Sequence, residues 1–209
     1  MPFKNINPVV RVLIYSDILI LGSIGLIAPV FAVFITEQIQ GATIKTVGIA
    51  VGIYWLVHML EIPIGRYLDR TDGEHDDYAA AIIGGFLGVL VPFLYMFASL
   101  PWHIFALQAF HGFARAIALP PWYALFTRHI DKAREGFDWS VANVTASLSA
   151  AGAGFLSGWI ADAYGFRQLF FVAGIVYFIG AVILVLLYPY VKPRVARLRG
   201  LPYRRVPVE

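Results

Sequence analysis

Six stretches of twenty or more mostly apolar residues, separated by short clusters that hold nearly all the charge, leave this 209-residue chain few ways to fold. A bilayer core of about 30 Å is crossed by about 20 residues rising 1.5 Å each in a helix. The stretches run Val9–Ile35, Ile44–Ile64, Ala79–Ala98, Trp102–Phe126, Trp139–Ala161 and Gln168–Tyr188. Inside lipid a helix satisfies its own backbone, and runs this long lack the short alternation of barrel strands. The expected fold is an all-α integral membrane protein: a six-helix transmembrane bundle over residues 1–190 and a basic tail over 191–209. Five spans are the alternative, because the fourth and fifth stretches carry internal polar groups and only Ser99 to Pro101 separates the third from the fourth. A hydrophobic content of 59% and a mean hydropathy of +0.72 exclude a soluble domain. Residues Met1 to Pro8 lack the features of a removable leader, so the first stretch is expected to stay as a helix.

Basic residues accumulate in loops that remain cytoplasmic. Thirteen of the 16 lie on one side: Lys4, Arg11, Arg66, Arg70, Arg128, Lys132, Arg134 and the six from Lys192 to Arg205. Lys45 and Arg167 lie on the other, and Arg115 falls within a span. This places both termini in the cytoplasm and the chain in the cytoplasmic (inner) membrane as a multi-pass protein. Two readings of the tail stand: a stop-transfer flank with no further role, or a segment that touches anionic lipid at roughly 1 kcal/mol per basic residue near the surface. With no cysteine there is neither a disulfide framework nor a thiolate metal site. No phosphate-binding loop, calcium loop or nucleophilic constellation is present, so no enzyme activity, cofactor, metal or nucleic-acid partner is expected.

The intramembrane charges carry the functional signal, since an ionised group at the bilayer centre costs at least about 2.5 kcal/mol. Counting from the cytoplasmic ends places Asp17 about 12 Å deep, His58 about 9 Å and Arg115 about 16 Å, with Glu61 shallower. Two readings stand: a substrate or proton site on a water-filled pathway, or a structural Asp17–Arg115 pair tying two helices together. His58 is a candidate proton relay because its ordinary pKa lies near physiological pH. Gln108 and His111 complete the candidate pathway, with packing as the alternative role for each histidine. Small residues recur every four positions at Ala146, Ala150, Gly154 and Gly158, with a shorter stripe at Gly48 and Gly52. Such stripes let helices pack closely.

The segment Pro63-Ile64-Gly65-Arg66-Tyr67-Leu68-Asp69-Arg70 resembles the loop signature between the second and third helices of the major facilitator superfamily. There Gly65 would allow close backbone approach, and Asp69 would offer an acceptor to a helix N-terminus or an arginine. The chain departs from that pattern in the acidic run Asp72-Gly73-Glu74-His75-Asp76-Asp77. A second resemblance is the junction Gly158 to Arg167, with Asp162 and Gly165, followed by Phe170. In the fourth helix Gln108, His111, Gly112 and Ala114 are similar to a third motif, but Gln108 stands where the family usually has arginine, and Arg115 supplies a cation further along.

The resemblance covers Val9 to Tyr188, one six-helix half of the usual twelve. It implies a half-size secondary transporter acting as a parallel homodimer, which moves an unknown small molecule, with proton coupling an open option, by alternating access around a midplane site. It further implies that the second and fifth helices, with Gly48, Gly52, Ala146, Ala150, Gly154 and Gly158, face the partner bundle. A non-transporting assembly or regulatory partner of another membrane complex is the alternative.

Overall fold

The computed structural model describes residues 6–70 and 74–191. Lys4, Asp72, Gly73 and the basic tail from residue 192 onward lie outside the described residues. Among the described residues there are six long helical rods and no strand. Rod α1 (Pro8–Gln38) consists of two α-helical pieces, Pro8–Ile27 and Phe31–Gln38, joined by a 3-10 turn at Ala28–Val30. Asn7 caps its start by accepting from the Val9 N–H at 2.9 Å. Pro29 marks the bend, because its ring removes a donor and crowds the preceding turn.

Rod α2 (Ile44–Leu68) breaks at Met59–Leu60, four and three residues before Pro63, whose ring would meet the Met59 carbonyl in a straight helix. It is followed by α3 (His75–Tyr95), α4 (Pro101–His129), α5 (Glu135–Tyr164) and α6 (Phe166–Val185). At the charged ends the helices overrun the apolar stretches: α5 begins at Glu135 and α4 continues to His129. Apolar content marks where lipid is crossed, while backbone hydrogen bonding continues into the polar turns.

Five rods are long and apolar enough to span a membrane by composition; α4 is the sixth, less apolar because it carries Gln108, His111 and Arg115. The chain is a multi-pass membrane protein. Rod α1 runs between α5 and α6, while α4 packs on α2 and α3, and α3 on α6. Serine hydroxyls fasten the centre. Ser16 and Ser23 donate to the carbonyls of Gly180 and Ala173 on α6, each at 2.8 Å, and Ser149 and Ser157 of α5 donate to those of Ile18 and Leu26. Bonds of this kind average about 0.6 kcal/mol between membrane helices, so they set register more than stability.

Two buried clusters fill the bundle. One gathers Val10, Leu13, Ile14, Phe126 and Leu184, the other Phe34, Ile35, Tyr95, Ile104 and Phe170. Between them on α1 and α4 lies the level of residues 21–28 and 108–115, where the site is found.

Candidate functional site

Arg115 is the midpoint of the 29-residue α4. At that depth a guanidinium needs polar company, and two tyrosines, Tyr54 of α2 and Tyr177 of α6, line the same cavity beside it. Asp17 of α1 brings a carboxyl group into the same region, yet no ion pair joins the two among the described residues. Instead they face one cavity of about 20 Å³, which Trp122 and Tyr177 also line.

The approach of α2 to α4 depends on Gly112. A Cβ there would stand 2.5 Å from the Tyr54 carbonyl oxygen and 3.2 Å from the His58 nitrogen. Only a residue without a side chain lets the two backbones come this close, one turn from Arg115. The Tyr54 ring then lies between two imidazoles, with centroids 4.9 Å from His111 and 5.6 Å from His58. His58 is buried, and its Nδ1 lies 3.7 Å from Glu61 Oε2.

Above this layer opens a cavity of about 460 Å³ whose walls come from α1, α2, α3, α4 and α6. Its polar groups include Arg115, Tyr54, His111 and Gln108; the Gln108 Oε1 accepts from the Tyr95 hydroxyl at 3.1 Å. Val51 and Trp55, 39% and 60% exposed, form its rim on α2. Of the sequence-derived candidates, Arg115, Gln108 and His111 line this cavity and Asp17 lies in the smaller one beside Arg115. His58 and Glu61 form a neighbouring pair, and Glu61 lines a separate cleft with Gly65 and Asp69. Sequence reasoning missed Tyr54, Tyr95 and Tyr177. The available signal was a phenolic hydroxyl within an apolar span, which must find a partner there.

At the α2–α3 connection Gly65 faces Pro120 of α4, with Cβ room of 3.4 Å. Asp69 and Arg70 are exposed. The acidic run beyond them has a role the sequence reading did not foresee. Asp77 is buried and pairs with Arg128, while Glu74, also buried, lies 3.7 Å from the His129 ring. Asp138 accepts from the Asp131 N–H at 3.1 Å. The end of α4 is thus held between the starts of α3 and α5.

At the other junction Gly165 takes φ +88°, a conformation that favours glycine, and α6 starts at the next residue. Asp162 and Arg167 are exposed there. The small-residue stripe of α5 is divided. Ala150 and Gly154 lie against Gly25 and Pro29 of α1, Ala146 is half-buried, and Gly158 has open space, as do Gly48 and Gly52 of α2.

The family model of the Major Facilitator Superfamily matches residues 15–208. Among solved structures, the chain is similar to a peptide transporter POT in complex with sulfate, at TM-score 0.73 and 16% identity, over 88% of this chain and 38% of that one. It is also similar to a POT family transporter, PepTSo, solved in meso, at TM-score 0.70 and 13% identity, over 93% and 40%. A mutant of peptide transporter POT in complex with alafosfalin matches at TM-score 0.75 and 18% identity, over 90% and 39%. The chain therefore spans about two fifths of the length of these transporters. No curated protein matches it.

Proposed function

Because the chain belongs to the Major Facilitator Superfamily, we propose that it is a secondary transporter rather than an enzyme, in which two parallel copies of the six-helix bundle enclose a shared solute pathway. The carrying observation is the cavity of about 460 Å³ at mid-bundle, polar at Arg115 and open along α2 through Val51 and Trp55. A single bundle leaves that side without a wall. Rocking of two bundles about such a site exposes it to each face in turn.

The second copy is placed on α2 and α5, whose outer faces the chain itself leaves uncovered. Both termini are cytoplasmic in this reading, which follows the distribution of basic residues, and the membrane is the inner one. Proton coupling would run through the His58–Glu61 pair, one turn from Tyr54 and the Arg115 layer. The fold likeness to peptide transporters supports the architecture and leaves the solute to be found.

Purified protein in vesicles, tested with a panel of radiolabelled solutes under an imposed pH gradient, should accumulate at least one of them above protein-free vesicles. Arg115→Gln should abolish that uptake while the protein still inserts. A protein that is strictly monomeric in mild detergent and inert to the whole panel would sink the reading.

A further inference from the structure

Resting on the transport reading of the same cavity, we infer that the solute is an organic anion: a carboxylate or similar monoanion on an apolar body. The charge inventory is one-sided. Among the described residues lining the cavity, Arg115 is the one permanently charged group, and Tyr54 and Tyr177 beside it offer hydroxyls rather than carboxylates. No carboxylate lines the cavity; Asp17 faces the smaller space on the far side of the guanidinium. A cationic solute would meet Arg115 with no anion to offset it.

An anion instead completes the pairing of a buried arginine, whose planar fork suits a carboxylate. Of the remaining polar lining, which includes His111, Ser23 and Gln108, the glutamine supports this assignment. The Ser23 hydroxyl is committed to the Ala173 carbonyl. Gln108 Oε1 already accepts from Tyr95, and its amide N–H groups are donors that an anion can use. The other walls are aliphatic and aromatic, among them Ile24, Phe31, Trp55, Val91 and Pro92, and they fit an apolar body rather than a sugar or a dipeptide backbone rich in hydrogen-bonding groups. A volume of about 460 Å³ accommodates one small molecule of this kind.

Three matched probes separate charge from shape: 4-phenylbutyrate, its amide and the corresponding amine. Hexanoate and octanoate, each with its amide, extend the range of body size. Calorimetric titration of the wild-type protein in detergent should show at least one acid binding about tenfold or more tighter than its amide, and no amine binding. Arg115→Gln should bring the acids to the level of the amides, and Arg115→Lys should keep a reduced preference for the acid. Asp17→Asn should leave that preference intact or widen it, since it removes a carboxylate competing for the guanidinium.

Amides or amines that bind as well as every acid would overturn the inference, as would loss of acid binding in Asp17→Asn. The wild-type ranking needs no variant, so a poorly folding Arg115→Gln protein leaves the test decisive. Acid-selective binding without vesicle uptake refutes transport and keeps this inference. Uptake that favours amines or amides refutes the inference and keeps transport.

Discussion

The rods α1, α3 and α6 bury 44% of their most apolar stretch inside the chain, whereas α2 and α5 bury 6% of theirs. By length and composition all five qualify as membrane spans. The difference therefore lies in what covers them. For α1, α3 and α6 the answer is the chain itself, through the serine cross-links and two apolar clusters. For α2 and α5 it is lipid or another protein, with Leu56 and Ile62 each 69% exposed and Phe155 86% exposed. Rod α2 belongs to both regions, because Tyr54 turns inward to Arg115 while its neighbour Trp55 turns outward at 60% exposure. An uncovered helix that also walls the cavity makes the site sensitive to whatever docks beside it.

The sharpest way to break this comparison is to disturb α2 where it is packed. Gly112→Leu would drive a side chain into the backbone of α2 at Tyr54 and His58. Overpacking of this kind costs about 3 kcal/mol, and it should also displace Tyr54 from Arg115. Thermal unfolding in detergent reads the first effect and solute binding the second; a wild-type result in both would mean that α2 is not held by α4 as described.

A smaller effect is expected at the clamped end of α4. Asp77 is nearly fully buried while Arg128 is 37% exposed, so the two partners are not equivalent. Arg128→Gln strands a buried carboxylate and should cost roughly 2 kcal/mol, below the usual range for a buried pair because the arginine is partly solvated. Asp77→Asn should cost less, since the freed guanidinium can turn towards water. Equal losses in chemical denaturation of the two variants would show that the pair is a surface contact.

The smallest effect on folding belongs to the uncovered face of α5. Leu148→Ala with Phe155→Ala, at sites 72% and 86% exposed, should change the stability of the isolated chain by less than about 0.5 kcal/mol. The same pair should weaken self-association in a detergent dilution series about tenfold. A large loss of monomer stability would place these residues inside the chain's own packing and remove the contrast on which the dimer proposal stands.

Six helices were legible because each apolar stretch exceeds the length that lipid requires, and because no other secondary structure satisfies the backbone of a single isolated segment there. Arg115 and Asp17 stood out for a related reason: an ionised side chain in such a stretch is costly enough to need a cause. The bend at Pro29 and the break before Pro63 fall at prolines, but Pro92, Pro120 and Pro121 lie within uninterrupted helices, so proline alone did not tell where a helix breaks. Their partners were not legible. Tyr54 and Tyr177 lie 123 residues apart and meet at Arg115 only through the crossing of α2, α4 and α6. The same holds for the acidic run after Asp69, read as a departure from a motif and found to hold Arg128 and His129.

The sequence by itself determined that the chain crosses the membrane, roughly where its spans lie and which side chains are too polar for lipid. These are properties of single segments, decided by each segment's exchange with the bilayer. Tertiary structure alone decided that Asp17 and Arg115 face a common space without touching, that Ala150 and Gly154 spend part of the small-residue stripe on α1, and that one cation with no facing carboxylate lines the cavity. Hydropathy carries no information about which face of one helix meets which face of another. That choice is made by close packing, at positions such as Gly112, where the absence of a single Cβ determines how near two helices come.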